Sequence, residues 1–175
     1  MKKSILVFAV SLFISLGLSA QMVNINRWVS PIFKDYTSIP ENKGIDAQIA
    51  SWGYTGKIFQ YRGFLTPPDE YNSTGVNRWE MPNCKEFIII AEHELTDAQL
   101  MSWGYKNKTF LFYAFKNPPP QAGYVAVNRW VNALPKGNNC RDFTLSVAEF
   151  ELTDEQLISW GYSDKKTQFY VMDSR

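Results

Sequence analysis

The tetrapeptide Ser-Trp-Gly-Tyr occurs three times in this chain, at 51–54, 102–105 and 159–162, and no other feature constrains the fold more. In two copies it ends a longer string, Leu-Thr-Asp-x-Gln-Leu-x-Ser-Trp-Gly-Tyr, at 95–105 and 152–162. That string spells a short helix with both ends marked. Thr96 and Thr153 stand at the N-cap, with Gln99 and Gln156 three residues on to complete a capping box. Leu95 with Leu100, and Leu152 with Leu157, hold the apolar staple positions around it. Asp97 and Asp154 fall in the first turn, where the helix dipole favours negative charge. Gly104 and Gly161 then supply the left-handed residue that stops a helix. A helix of about two turns does not hold its shape alone in water, so each must dock on something.

A second motif fixes the register. Asn-Arg-Trp recurs at 26–28, 77–79 and 128–130, both intervals being 51 residues. The corresponding intervals between Trp-Gly sites are 51 and 57, so the third unit carries about six extra residues, mostly in the Pro/Gly/Asn-rich stretch 132–139. Three units follow, at about 22–64, 74–115 and 124–172, joined by 65–73 and 116–123. Each reads strand, strand, helix, strand. The first strands cover 23–29, 75–80 and 125–131, the second 35–39, 86–91 and 142–148, and the third 58–64, 109–115 and 167–172. Period-two alternation puts Val125, Val127, Arg129 and Val131 on one face of its strand, and Asn128 with Trp130 on the other. In the first unit Ile45 stands where the others have the capping Thr, which predicts the weakest cap there, by about 1 kcal/mol.

Outside the units, Lys2 and Lys3 precede an apolar run from 5 to 18 and then Ser19-Ala20-Gln21. This is the layout of a secretory signal peptide spanning 1–20, which predicts a secreted or periplasmic protein with a single domain over 21–175. The apolar run is short for a membrane span, so no stable membrane insertion is expected after cleavage. The 18 basic residues less Lys2 and Lys3 leave 16 against 17 acidic ones, which offers no footprint for nucleic acid.

All six tryptophans lie at two repeat sites. Trp52, Trp103 and Trp160 end helices that must dock, so core is the favoured reading. At Trp28, Trp79 and Trp130 packing within or between units stands beside a second reading. These rings share a strand face with Asn26, Asn77 and Asn128, and flat rings beside amides suit sugars, whose C–H faces stack while hydroxyls hydrogen-bond. Those six residues are the ligand-binding candidates. Arg27, Arg78 and Arg129 read as structural, bridged to Asp35, Glu86 and Asp142. Glu41, Glu92 and Glu149 recur once per unit, unlike a glycosidase pair, which flanks one bond. His93 is the only histidine and reads as a surface residue. With no phosphate loop, nucleophile–base pair or metal-ligand cluster in sequence, no enzyme activity, metal or cofactor is expected. Phe33, Cys84 and Cys140 occupy equivalent positions; around a threefold axis they would cluster and the two thiols could bond, while the plain alternative is two separate buried thiols.

The pattern resembles a bacterial secreted repeat domain of unknown function, in which an Arg-aromatic strand precedes an acidic-aromatic-Thr strand, a short helix, Gly-aromatic, and an aromatic-Tyr strand. Here the matching residues are Asn-Arg-Trp, Asp35-Tyr36-Thr37 or Asp142-Phe143-Thr144, Trp-Gly-Tyr, and Phe112-Tyr113 or Phe169-Tyr170, with Ile88 replacing the Thr in the second unit. Such domains are often attached to cell-wall hydrolases, so the resemblance implies a glycan-targeting role. The expectation is therefore an α+β domain whose three repeats are arranged with pseudo-threefold symmetry, with a β-trefoil as the alternative. Its expected function is that of an exported noncatalytic carbohydrate- or cell-envelope-binding module, taking a glycan or envelope polysaccharide. The alternative function is an exported protein-interaction or structural domain, acting through the two linkers.

Overall fold

A computed structural model describes residues 21–31, 35–84, 86–132, 142–147 and 152–173. The expected signal segment, Phe33, Cys140 and Glu149 lie outside them. The chain order is β1 (Met22–Ser30), β2 (Asp35–Pro40), α1 (Lys43–Ser51), β3 (Thr55–Phe64), β4 (Ser73–Met81), β5 (Glu86–Ala91), α2 (Asp97–Ser102), β6 (Lys106–Phe115), β7 (Tyr124–Asn132), β8 (Asp142–Val147), α3 (Asp154–Ser159) and β9 (Tyr162–Met172).

Strand accounts for 56% and helix for 15%, so the fold is β-rich and antiparallel, which overturns the α+β class. The physical reason lies at the helix ends. Gly53, Gly104 and Gly161 take φ of 87°, 94° and 89°, so the chain leaves the helix after at most nine residues. The third strand then begins almost at once, at Thr55, Lys106 and Tyr162, earlier than the expected 58, 109 and 167. Helices this short form no layer of their own. A capped helix in every unit likewise counts against the β-trefoil alternative.

Each unit is an antiparallel trio with its first strand in the middle: β2-β1-β3, β5-β4-β6 and β8-β7-β9. Three single bridges join the trios, Phe64 to Tyr113, Phe115 to Tyr170, and Met172 to Arg62. With the 51- and 57-residue intervals these are one bridge repeated around a ring. Inside it, Tyr61, Phe112 and Phe169 meet edge to face, with centroids 5.8 to 6.3 Å apart, the arrangement that ring quadrupoles favour. Ile25, Val76 and Val127 pack around them with Leu145, Val147 and Val171. A Cβ on Gly63 would meet the Phe112 ring at 2.5 Å, so the close packing of this centre needs glycine there.

Three satellite cores surround the central one. Trp79 packs with Ile88, Ile90, Leu100 and Tyr105; Trp28 with Ile39, Ile49 and Tyr54; Trp130 with Leu152, Leu157 and Tyr162. The helix is therefore the lid over the outer face of its own trio. Thr96 and Thr153 make the capping boxes written in the sequence. In the first unit the cap is relocated, not lost. Asn42 accepts from the Gly44 and Ile45 amides at 2.9 and 3.4 Å, and α1 starts three residues earlier in register.

Candidate functional site

The six residues expected to touch a ligand are all inside the protein. Trp28, Trp79 and Trp130 are 8%, 4% and 3% exposed, and Asn26, Asn77 and Asn128 are equally buried. Two register shifts bracket each motif, such as those between Val76/Asn77 and Arg78/Glu80, so simple alternation does not run through it. The face that looked polar is the one the helix covers. Two of its amides are engaged internally: Asn77 donates to Glu92 Oε1 at 3.1 Å, and Asn128 accepts from the Thr167 hydroxyl at 2.8 Å.

A cation also lies over each of these indoles. Lys57, Lys108 and Lys165 place Nζ 5.8, 5.8 and 5.6 Å from the centroids of Trp28, Trp79 and Trp130. Lys57 is held by Glu41 at 3.0 Å and Asp46 at 2.7 Å, Lys108 by Glu92 and Asp97 at 3.1 Å each, and Lys165 by Asp154 at 2.6 Å. The hydrogen bonds that Lys57 donates to Asp46 and Glu41 raise its pKa, and the Lys57 contact in turn lowers that of Glu41. Asp46, Asp97 and Asp154 thus tie a strand lysine to the first turn of each helix.

The other three tryptophans are the exposed ones: Trp52 at 37%, Trp103 at 53% and Trp160 at 45%. Each sits at the C-cap of its helix, just before the left-handed glycine. That glycine turns the chain, so Tyr54, Tyr105 and Tyr162 re-enter the core and the tryptophans stay outside. The expectation that these indoles are core is corrected accordingly. The signal was present in the sequence as Trp-Gly-Tyr, since both rings cannot follow the helix inward across a reversal of the backbone.

Two of these indoles lean on the neighbouring unit. Trp52 stacks on Phe87 with centroids 5.4 Å apart and planes 15° from parallel, and Trp160 on Tyr36 at 6.3 Å and 5°. Among the described residues no stacked ring accompanies Trp103. Phe87 also carries Arg78, with Cζ 4.8 Å from the ring centroid; Tyr36 carries Arg27 at 5.4 Å, and Phe143 carries Arg129 at 5.7 Å. Burial lowers the Arg78 and Arg129 pKa values below the ordinary guanidinium range, against the opposing pull of nearby carboxylates. Arg78 pairs with Glu80 at 3.4 Å, and Asp142 accepts from the Tyr162 hydroxyl at 2.6 Å; the side chains of Asp35 and Glu86, the partners expected for Arg27 and Arg78, lie outside those described. These rings and Arg129 line a cavity of about 10 Å³ where β2, β5 and β8 converge, room for about one water. Cys84, at the mouth of β5, is held in a disulfide, and the chain's other cysteine is Cys140.

The second unit has a feature that sequence reading missed. An open pocket of about 370 Å³ lies between the first linker, the start of β4, the turn after β5 and β6, lined by Glu70, Thr74, Gly75, Glu92, His93, Tyr113 and Lys116. Its only advance sign was Gly75, where the other units carry Asn24 and Ala126.

Among the described residues no group of three His, Cys, Asp or Glu side chains is placed to hold a metal ion, and no helix is long and apolar enough to cross a membrane. No protein-family model, curated protein or solved structure matches the chain.

Proposed function

We propose that this chain is an exported, noncatalytic carbohydrate- or cell-envelope-binding module that presents one indole per unit to a polysaccharide. The observation that supports it is the half-exposed set Trp52, Trp103 and Trp160, at equivalent positions in a protein that buries its other three tryptophans. Leaving a large apolar ring in water forgoes burial worth about 2 kcal/mol per ring. Stacked face-on against Phe87 and Tyr36, Trp52 and Trp160 are held at fixed tilt with the outer surface open. A rigid flat ring is a platform for the C–H face of a pyranose. Three weak contacts on one chain add through effective concentration, which suits a repeating polymer better than a free sugar. Export rests on the signal-like segment 1–20, and the envelope as target on the resemblance to glycan-targeting secreted repeats.

Sedimentation of the secreted form with insoluble peptidoglycan, chitin and cellulose, with tryptophan fluorescence on soluble fragments, tests this. The combined Trp52→Ala, Trp103→Ala and Trp160→Ala variant is expected to stay folded and lose at least tenfold in binding. Equal binding by the variant sinks the proposal.

The second reading is an exported protein-interaction domain, favoured by Tyr71 at 85% exposure and by exposed Leu65, both on the first linker. It predicts no response to any glycan.

A further inference from the structure

The open pocket of the second unit is a built site, not a gap between loops. Its outer wall, the first linker, is fixed by its own hydrogen bonds. Asp69 accepts from the Tyr71 and Asn72 amides at 2.8 Å each, and Ser73 and Asp69 bond reciprocally through the Ser73 hydroxyl. Asn72 then joins the second linker, accepting from the Asn117 amide at 3.0 Å and donating back to its carbonyl at 3.0 Å. At the floor, Gly75 leaves space that the Glu92 carboxylate enters; a Cβ there would meet Glu92 Oε2 at 2.8 Å. Glu92 Oε1 is engaged by Asn77 and Lys108. His93 closes the inner side, Nδ1 lying 3.0 Å from Thr74 Oγ1. Tyr113 forms an aromatic edge, continued outward by the exposed Phe110 at a centroid distance of 4.8 Å.

The chemistry is mixed and nearly neutral. Glu70 and Glu92 are balanced by Lys116, which lines the pocket, and by Lys108, which is bound to Glu92. Carboxylate acceptors, ammonium and hydroxyl donors, and one ring face together match a ligand with many hydroxyls and an apolar C–H side. The volume lies within the range of small-molecule sites, roughly 300–1,000 Å³.

We infer that this pocket binds a single neutral pyranose, as a terminal-sugar subsite confined to the second unit. The ligand class rests on the carbohydrate reading above, but the residues are separate from the exposed tryptophans, so the two fail independently. Asn24 shows what blocks such a pocket. In the first unit its amide donates to Glu41 Oε2 at 3.0 Å, at the position where the second unit has Gly75.

Ligand-observed saturation-transfer NMR on the secreted form, with glucose, galactose and N-acetylglucosamine as probes, tests the site. At least one is expected to show transfer, competed by none of the inorganic phosphate added as a charged control. Gly75→Asn, which copies the first unit, is expected to weaken it at least tenfold. The surface pair Glu70→Gln with Lys116→Met serves as a second variant with no packing to disturb, and is expected to weaken it similarly. The triple tryptophan variant is expected to keep it. No transfer from any probe, or transfer unchanged in both pocket variants, overturns the pocket. Loss of polysaccharide binding in the triple tryptophan variant would still stand on its own.

Discussion

Two sets of three tryptophans occupy equivalent places in the three units and have opposite fates. Trp28, Trp79 and Trp130 sit on the middle strand of each trio, under the helix, in cores that include the helix Leu or Ile and the Tyr of Trp-Gly-Tyr. Trp52, Trp103 and Trp160 sit at the helix ends and are 37–53% exposed. The polarity of sequence neighbours pointed the other way, because Asn26, Asn77 and Asn128 flank the buried set. Asn77 and Asn128 face a carboxylate and a hydroxyl within the protein, those of Glu92 and Thr167. The difference teaches that a polar neighbour marks a solvent face only when nothing else covers that face, and here the helix does.

The sharpest way to break this comparison is to truncate one ring from each set in the same unit. Trp79→Ala removes an indole packed against Ile88, Ile90, Leu100 and Tyr105 and is expected to cost about 3–5 kcal/mol. Trp103→Ala touches an exposed ring and is expected to fall within about 0.5 kcal/mol of the parent. Denaturant midpoints at constant slope measure both. Similar losses in the two would mean that Trp103 packs more than its exposure indicates.

Much of the local plan was legible because it is written in short-range chemistry. Thr96 and Gln99, or Thr153 and Gln156, satisfy helix amides whatever the tertiary context, and their boxes are present. Gly104 and Gly161 take the left-handed backbone that their position required. What was not legible depended on contacts between units or on accumulated lengths. The α+β class failed because strand ends grew by several residues beyond the periodic core, which no pattern inside one strand announces. The stacking of Trp52 on Phe87 crosses two units, and the pocket of the second unit depends on Gly75 leaving room for Glu92. In unit one the repeat register points to Ile45 for the cap, whereas Asn42 supplies it three residues earlier.

That relocated cap offers a finer test of whether each satellite core relies on its lid. Asn42→Ala frees the Gly44 and Ile45 amides, and Thr96→Ala frees that of Gln99. Each is expected to cost about 1 kcal/mol, well below the loss for Trp79. Hydrogen exchange is the discriminating readout. Faster exchange should be confined to α1 in the first variant and to α2 in the second, since each helix covers only its own trio. Exchange that rises across all three units in either variant would show that the lids are coupled through the central core.

The smallest effect concerns the exposed side of the second unit, where His93 sits between its own turn and β9 of the third. Burial pushes the His93 pKa below its ordinary 6.5; Glu94 pulls it up, Lys116 and Lys166 push it down, and a hydrogen bond to the Gln168 backbone raises it. Thr74 Oγ1 also faces the ring. Because burial prevails, the folded chain takes up this proton less readily than the unfolded one. Between the lowered value and 6.5 the unfolded state therefore carries more bound protons, and stability rises with pH. The contribution is fully present above pH 6.5 and is lost as pH falls through the lowered folded value. His93→Gln keeps a hydrogen-bonding side chain beside Thr74 without a titrating ring. Thermal midpoints from pH 5 to 7.5 should then show a shallower slope than the parent, with the two curves closest at the upper end. A slope that is unchanged by the substitution would place the acid sensitivity in the carboxylates, such as the Glu94–Lys166 pair at 2.6 Å, and not in this ring.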